Sequence, residues 1–418
     1  MPDNSPVTQV TSDPYASIRI PEFRNLIIGR FTFIFSLRMM STLVGWWVLD
    51  LTNDPFAIGL VGLSEFVPAF CLALYAGHVI DKSERRVMML RGVFSYVILA
   101  TALLVLSTHL GSDHLSNPRI AIAIYVVIFF TGVARAFTGP NFNSLLAMIV
   151  PRQFLQNATT WNQGSWLAAS VSGHAISGFL IWLIGITGTL IVICSILVVA
   201  FIALTRLKPK PPQSSGDEKT WSRMKEGLRF VFKTKEILGS FTLDMFAVLF
   251  GGAVAMVPYY ARNILMVGPL GLGWLNAAID IGAIISVILL TFRPMKKAQG
   301  RKLLFAVAGF GSCIILFAVS KLFVLSFIAL LVAGTLDGIS VVIRGTVMQL
   351  KTPDHMRGRV SSVASMFINS SNELGQFESG FASRLLGPVP SVVFGGCMTL
   401  LVVVVTWWRS PGLRKFEY

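Results

Sequence analysis

The chain has 418 residues, of which 54% are hydrophobic and only 13% charged. An average soluble domain carries about 25% charged residues, so these charges are too few to coat the two or three domains that a soluble chain of this length would form. The apolar content excludes disorder, and the net charge of +15 is too diluted among Leu, Ile, Val and Phe for a nucleic-acid binder. The composition fits an all-α polytopic membrane protein. Cys71, Cys194, Cys313 and Cys397 each lie in an apolar run without CxxC spacing. That predicts apolar packing rather than metal or redox chemistry. The first 22 residues are polar and lack the apolar core of a signal peptide.

A membrane span needs about 20 mostly apolar residues. In chain order, that rule predicts twelve: residues 26–51, 56–79, 87–107, 120–147, 161–184, 187–204, 237–259, 270–292, 303–320, 322–350, 360–385 and 389–408. Most connections are short and hold turn formers, such as Asn53-Asp54-Pro55 and Gly387-Pro388. The organisation expected is a polar N-terminal segment (1–22), a six-helix half (23–205), a linker (206–236), a second six-helix half (237–408) and a short tail (409–418). The linker holds Lys208-Pro209-Lys210-Pro211-Pro212 and then a basic segment. There Trp221, Met224, Leu228 and Val231 recur at helical spacing, which predicts a helix at the membrane surface.

Sorted by side, the great majority of the 35 Lys and Arg fall with the N-terminus. Only Arg119, Arg262, Lys321 and Arg384 fall opposite, and Arg30, Arg38, Arg135 and Arg344 lie inside spans. The positive-inside rule therefore predicts cytoplasmic termini in an inner (plasma) membrane. The two halves also repeat. When Gly173 is set on Gly375, then Ser177, Gly178, Phe179, Leu183 and Gly185 meet Ser379, Gly380, Phe381, Leu385 and Gly387. Equivalent spans run in the same direction, which is a parallel repeat of six plus six.

Between the second and third spans stands Gly77-His-Val-Ile-Asp81-Lys-Ser-Glu-Arg85-Arg86. A Gly lets helices approach, and an Asp at a helix end meets dipoles or cations. This stretch resembles the major facilitator superfamily signature G-x-x-x-D-[RK]-x-G-[RK]-[RK], with Glu84 in place of the second glycine. Arg135-Ala-Phe-Thr-Gly-Pro140 and Gln349-Leu-Lys-Thr-Pro353-Asp-His-Met-Arg357-Gly-Arg359 resemble that superfamily's drug:proton antiporter branch, which includes enterobactin exporters and macrolide efflux proteins. The resemblance implies two six-helix halves that rock about a central site. It also implies a cytoplasmic gate at Gly77, Asp81, Arg85 and Arg86.

Charges inside a bilayer are costly and mark function by default. Arg38 lies at the middle of the first span, too deep to snorkel easily, and suits an anionic substrate group or a carboxylate partner. Arg30, a turn inside, is expected to snorkel. Glu65 lies mid-span before Pro68, as a binding or proton-carrying group or as the ion-pair partner of Arg38. In the eleventh span Asn369, Asn372, Glu373, Gln376 and Gly380 share one helical face, which predicts a cavity lining. His174 meets Gln376 in the repeat and adds a cavity candidate. Asp244, Asp280 and Asp337 are proton carriers alongside Glu65 and Glu373, or else ion-pair partners of Arg135 and Arg344. No HExxH or GxSxG motif occurs, so neither catalytic residues nor a cofactor is expected. The reading is a monomeric transporter exporting a small organic solute in exchange for protons, with the lipid bilayer as its other partner. A lipid flippase or a metal-ion exporter of the same architecture stands as the alternative.

Overall fold

Proline and capping residues set the helix ends. The computed structural model describes residues 13–108, 115–210, 220–293, 295, 297–353 and 356–417; the side chains of some residues within helices, Asp81 and Asn369 among them, lie outside the described set. Helix α1 (Pro21–Thr52) starts on a proline and stops where Asn53 turns left-handed, its N–H returning to the Leu49 carbonyl. Asp54 then caps α2 (Pro55–Lys82) by accepting from the Phe56 N–H at 2.9 Å. Next come α3 (Arg85–Ser107), α4 (Asn117–Ile149) and α5 (Leu155–Thr205). The last is a 51-residue run that Gly185, at φ 70°, divides into two limbs. After the linker helix α6 (Thr220–Lys233) follow α7 (Lys235–Phe250), α8 (Gly268–Phe292), α9 (Gln299–Val319), α10 (Phe323–Lys351), α11 (Arg357–Leu386), α12 (Pro388–Arg409) and a terminal turn α13 (Pro411–Arg414). Gly387 joins α11 to α12 at φ 92°. The two glycines that the repeat sets on each other, Gly185 and Gly387, thus both occupy the left-handed region and both make a turn.

Among the described residues, ten helical runs are long and apolar enough to cross a membrane. Their outer faces keep large apolar side chains uncovered: Phe292 is 81% and Trp408 79% exposed. Such a surface suits lipid and not water. The chain is an all-α polytopic membrane protein. Buried apolar side chains of residues 23–207 form one cluster, and those of residues 231–416 form three more. The two groups of helices meet along two seams, α2 on α11 and α5 on α8.

Two expectations need correction. Residues 237–259 are not one α-helix: α7 stops at Phe250, a 3₁₀ turn follows over Gly252–Met256, and a π-turn over Tyr260–Ile264. The break falls on Gly251-Gly252, where Gly252 packs directly on the Gly375 carbonyl of α11 and a side chain would not fit. The cysteines are free, but Cys71 and Cys397 are exposed rather than packed in a core. An apolar run in lipid has an outward face, and both sit on it. In α6 only part of the amphipathic pattern lies within the described side chains. Val231 is buried against α7 and α11, and Leu228 is exposed, while Trp221 and Met224 lie outside the described set.

Candidate substrate and coupling site

Each seam begins, near the face that carries Asn53, with a glycine pair. A Cβ built on Gly380 of α11 would lie 2.8 Å from Cα of Gly59 in α2; one built on Gly178 of α5 would lie 2.8 Å from Cα of Gly273 in α8. Only glycines allow backbones that close. Gly178 and Gly380 are equivalent in the repeat register, so the two seams use the same device at matching positions.

About two turns below each glycine pair lies a polar cluster. On the α2–α11 seam the central group is Arg135 of α4. Gly132, one turn before it, packs on the Glu65 carbonyl beside Pro68. That approach brings Arg135 Nη1 to 2.9 Å from Glu65 Oε1, and the same nitrogen lies 2.6 Å from Glu373 Oε1 of α11. Gln376 Nε2 donates to the other Glu373 oxygen at 3.4 Å. One guanidinium thus bridges two carboxylates that belong to different helix groups. The cluster holds one positive and two negative charges, and a single proton would neutralise the excess.

On the α5–α8 seam the cluster is built around His174 and Asp280. Thr42 Oγ1 and His174 Nδ1 are 2.7 Å apart, His174 Nε2 is 3.7 Å from Asp280 Oδ2, and Ser170 Oγ donates to that oxygen at 2.6 Å. Arg38 sits between the two clusters. Gly173 admits its stem, since a Cβ there would lie 2.8 Å from Arg38 Cβ. Its guanidinium stacks over Trp166 at 5.3 Å and lies within electrostatic range of His174, Asp280 and Glu373.

The structure therefore gathers Arg38, Glu65, His174, Asp280, Glu373 and Gln376 along the seams. Asn372 is exposed on the α11 stripe, and the Asn369 side chain lies outside the described residues. Glu65 is not the partner of Arg38: the Gly132 approach delivers Arg135 to it first. Asp280 pairs with neither Arg135 nor Arg344 but meets Ser170 and His174 across the seam. Asp244 and Asp337 take the ion-pair alternative; Asp244 contacts Arg344 and Asp337 lies 3.8 Å from it. Arg30 does not snorkel. It is buried, bonded to Asn162 and stacked near Phe142. Sequence reasoning noted Arg135 as an intramembrane charge but did not place it in the site, and it left out Trp166 and Thr42. An arginine deep in a span, one turn after a glycine, was the available signal for the first.

Only part of the gate motif lies within the described side chains. Among the described residues, a Cβ on Gly77 would meet nothing within 4 Å. Arg86 instead donates to the Thr205 carbonyl at 2.6 Å, and Glu84 accepts from the Lys210 N–H at 3.3 Å. Both bonds stay next to the N-terminal helix group. Arg85 is buried, and the Asp81 side chain lies outside the described set. The opposite face is latched. Arg262, in the π-turn, bonds the Leu49 carbonyl at 3.2 Å and Asp50 at 3.1 Å and lies near the Trp46 ring. Arg262→Ala is expected to shift the population toward opening at this face. Faster labelling of a Thr52→Cys variant by a membrane-impermeant thiol reagent would register it; an unchanged rate would deny Arg262 a latch role.

Among the described residues no group of three or more His, Cys, Asp and Glu is placed to hold a metal ion. A metal-exporting site therefore has no donor set among them.

Comparison with known proteins agrees with this geometry. Over 402 residues the chain is 23% identical to the enterobactin exporter EntS of Shigella dysenteriae serotype 1, covering 95% of this chain and 94% of that protein. It is equally similar, with the same coverage, to EntS of Escherichia coli O1:K1. Among solved structures the nucleoside transporter NupG superposes with a TM-score of 0.72 at 13% identity, covering 94% of this chain and 99% of that one. A POT family transporter in complex with 5-aminolevulinic acid gives 0.73 at 12% identity, covering 94% and 96%. The family model described as Major Facilitator Superfamily matches residues 26–376. Two glycine-closed seams, each over a partly buried polar cluster, and a match across most of the chain lead to one conclusion: this protein belongs to the Major Facilitator Superfamily, a family of membrane transporters and not of enzymes.

Proposed function

We propose that the chain is a proton-coupled secondary transporter that exports a small organic anion by alternating access. Its architecture would be twelve spans in two six-helix halves. Ten runs meet the length and hydropathy criterion; dividing α5 at Gly185 and adding the polar α11 brings the number to twelve. The basic-residue bias puts the Lys82 face and both termini in the cytoplasm. The Asn53 face is then outer, and the arrangement is closed outside. Export is the direction named for the EntS relatives, and the two halves would be residues 23–205 and 237–408, joined by the 206–236 linker.

The observation that carries the reading is Arg135 shared between Glu65 and Glu373 across the two helix groups. While both carboxylates are ionised, Arg135 ties the groups together. A proton on Glu373 removes one charge of the pair and loosens the tie. An anionic substrate would compete with Glu373 for the same guanidinium, with Arg38 and Trp166 holding its other end. Anion and ionised Glu373 would then alternate on one guanidinium: the protein would return inward with Glu373 protonated and pass outward with the anion seated, one proton exchanged for one anion. The cluster of His174 and Asp280 offers a second protonation point on the other seam.

The test is transport in proteoliposomes, with a panel of radiolabelled siderophores and fluorescent drugs and an imposed pH gradient. Uptake into inverted vesicles should rise with an acidic lumen and lose that dependence in Glu373→Gln. Transport indifferent to the gradient removes proton coupling. Arg38→Ala should weaken binding of an anionic solute by about tenfold or more, since it deletes a charge-assisted contact. Unchanged affinity by titration calorimetry would take Arg38 out of the site.

A further inference from the structure

Away from both seams, a groove of about 450 Å³ runs between α3 and α4. Its walls are apolar, and two of them, Ile98 and Phe130, are 54% and 52% exposed. Both lie within membrane-crossing helices, so the groove opens sideways into lipid. Its floor is sealed where Gly92 packs on the Thr138 side chain. At the end near the Lys82 face stands Arg91, exposed and six residues into α3, about 9 Å along the helix. Among the described residues, no acidic side chain lines the groove. Ser95 also lines it, and its hydroxyl is spent on the Arg91 carbonyl at 2.9 Å. Arg91 is therefore exposed at the groove with no described carboxylate opposite.

A guanidinium at that depth needs an anion, and in a bilayer the anion at hand is a phosphate. We infer that the α3–α4 groove is a binding site for an acidic phospholipid, with the phosphate on Arg91 and an acyl chain along the apolar walls. The dimensions agree. From Met88 to Ile98 the wall rises about 15 Å, half of a hydrocarbon core of roughly 30 Å, the depth one acyl chain spans. Phe137 and Phe130 border the groove along α4 over the same depth. A zwitterionic lipid would bring its own cation next to Arg91, whereas an acidic one brings only the matching charge. Bound lipid would also brace α4 at Ala134, the residue next to Arg135.

Native mass spectrometry of the full chain, released from an equal mixture of phosphatidylglycerol and phosphatidylcholine, tests this site. The wild type should retain phosphatidylglycerol over phosphatidylcholine. Arg91→Ala should lower that retention about tenfold, and Ile98→Trp, which fills the groove with Arg91 intact, should lower it as well. Arg119→Ala, at the opposite membrane face, should leave it unchanged. Thermal melting in the same detergent reports folding; if Arg91→Ala melts early, Arg91→Gln, which keeps most of the stem, gives the same reading. Equal retention of the two lipids by the wild type, or undiminished phosphatidylglycerol on the Arg91 and Ile98 variants, overturns the proposal.

Discussion

Arg135→Ala is expected to abolish transport and to destabilise the protein by about 1–3 kcal/mol, less than for a fully buried pair because the Arg135 and Glu65 side chains are 37% and 28% exposed. Glu65 and Glu373 both lose their partner at once, and Glu373 has a side chain only 10% exposed. Two further variants separate the charge from the shape. Arg135→Lys keeps a point charge but only one compact head, so it should restore folding and little transport. Arg135→Ala combined with Glu65→Gln and Glu373→Gln removes the uncompensated charges and should recover most of the stability without any transport. Thermal melting in detergent and proteoliposome flux would be read on the same preparations. A single Arg135→Ala variant that melts with the wild type and transports normally would show that the bridge is incidental.

The second large effect concerns the glycine seams. Gly380→Leu places a side chain where even a Cβ meets the Gly59 backbone 2.8 Å away. Overpacking of this kind costs about 1–3 kcal/mol, and here it falls only on the state closed at the Asn53 face. A shift of that size changes the ratio of closed to open forms by roughly 5- to 150-fold. Spin labels at residues 53 and 387, at the C-terminal ends of α1 and α11, should move apart in the variant by electron–electron resonance. Gly178→Leu should do the same at the other seam. The built distance to Gly273 is also 2.8 Å, so the two variants should have similar effects. Unchanged label distances in both would mean that the seams do not gate the Asn53 face.

Helix positions were legible because lipid imposes one rule on every span: a long apolar stretch with its backbone bonded internally. The α11 stripe was legible for the same reason, since polar residues on one helical face must turn from lipid. Glu373, Gln376 and Gly380 do so. Pairings were not legible. Arg135 and Glu373 are 238 residues apart, and nothing local distinguishes Arg135 from Arg38 as the partner of Glu65. What decides it is the close packing of α4 on α2 at Gly132, a three-dimensional fact carried by one small residue. That no described residue packs on Gly77 was hidden for a related reason. A motif records a contact that the fold can make, but not whether the present conformation makes it. The break of α7 at Gly251-Gly252 was written in the sequence as a glycine pair, yet hydropathy alone runs straight across it.

The shared guanidinium has an electrical consequence. Counted with both carboxylates ionised, two against one arginine leave one negative charge in excess, which one proton would balance. Under proton-for-anion exchange, one proton entering and one monoanion leaving both carry positive current inward. Each turnover would then move two elementary charges, on the order of 4.6 kcal/mol for every 100 mV of membrane potential. A cell that holds its interior negative would drive such an exporter by voltage even with no pH difference, and clamping the potential at zero would slow it.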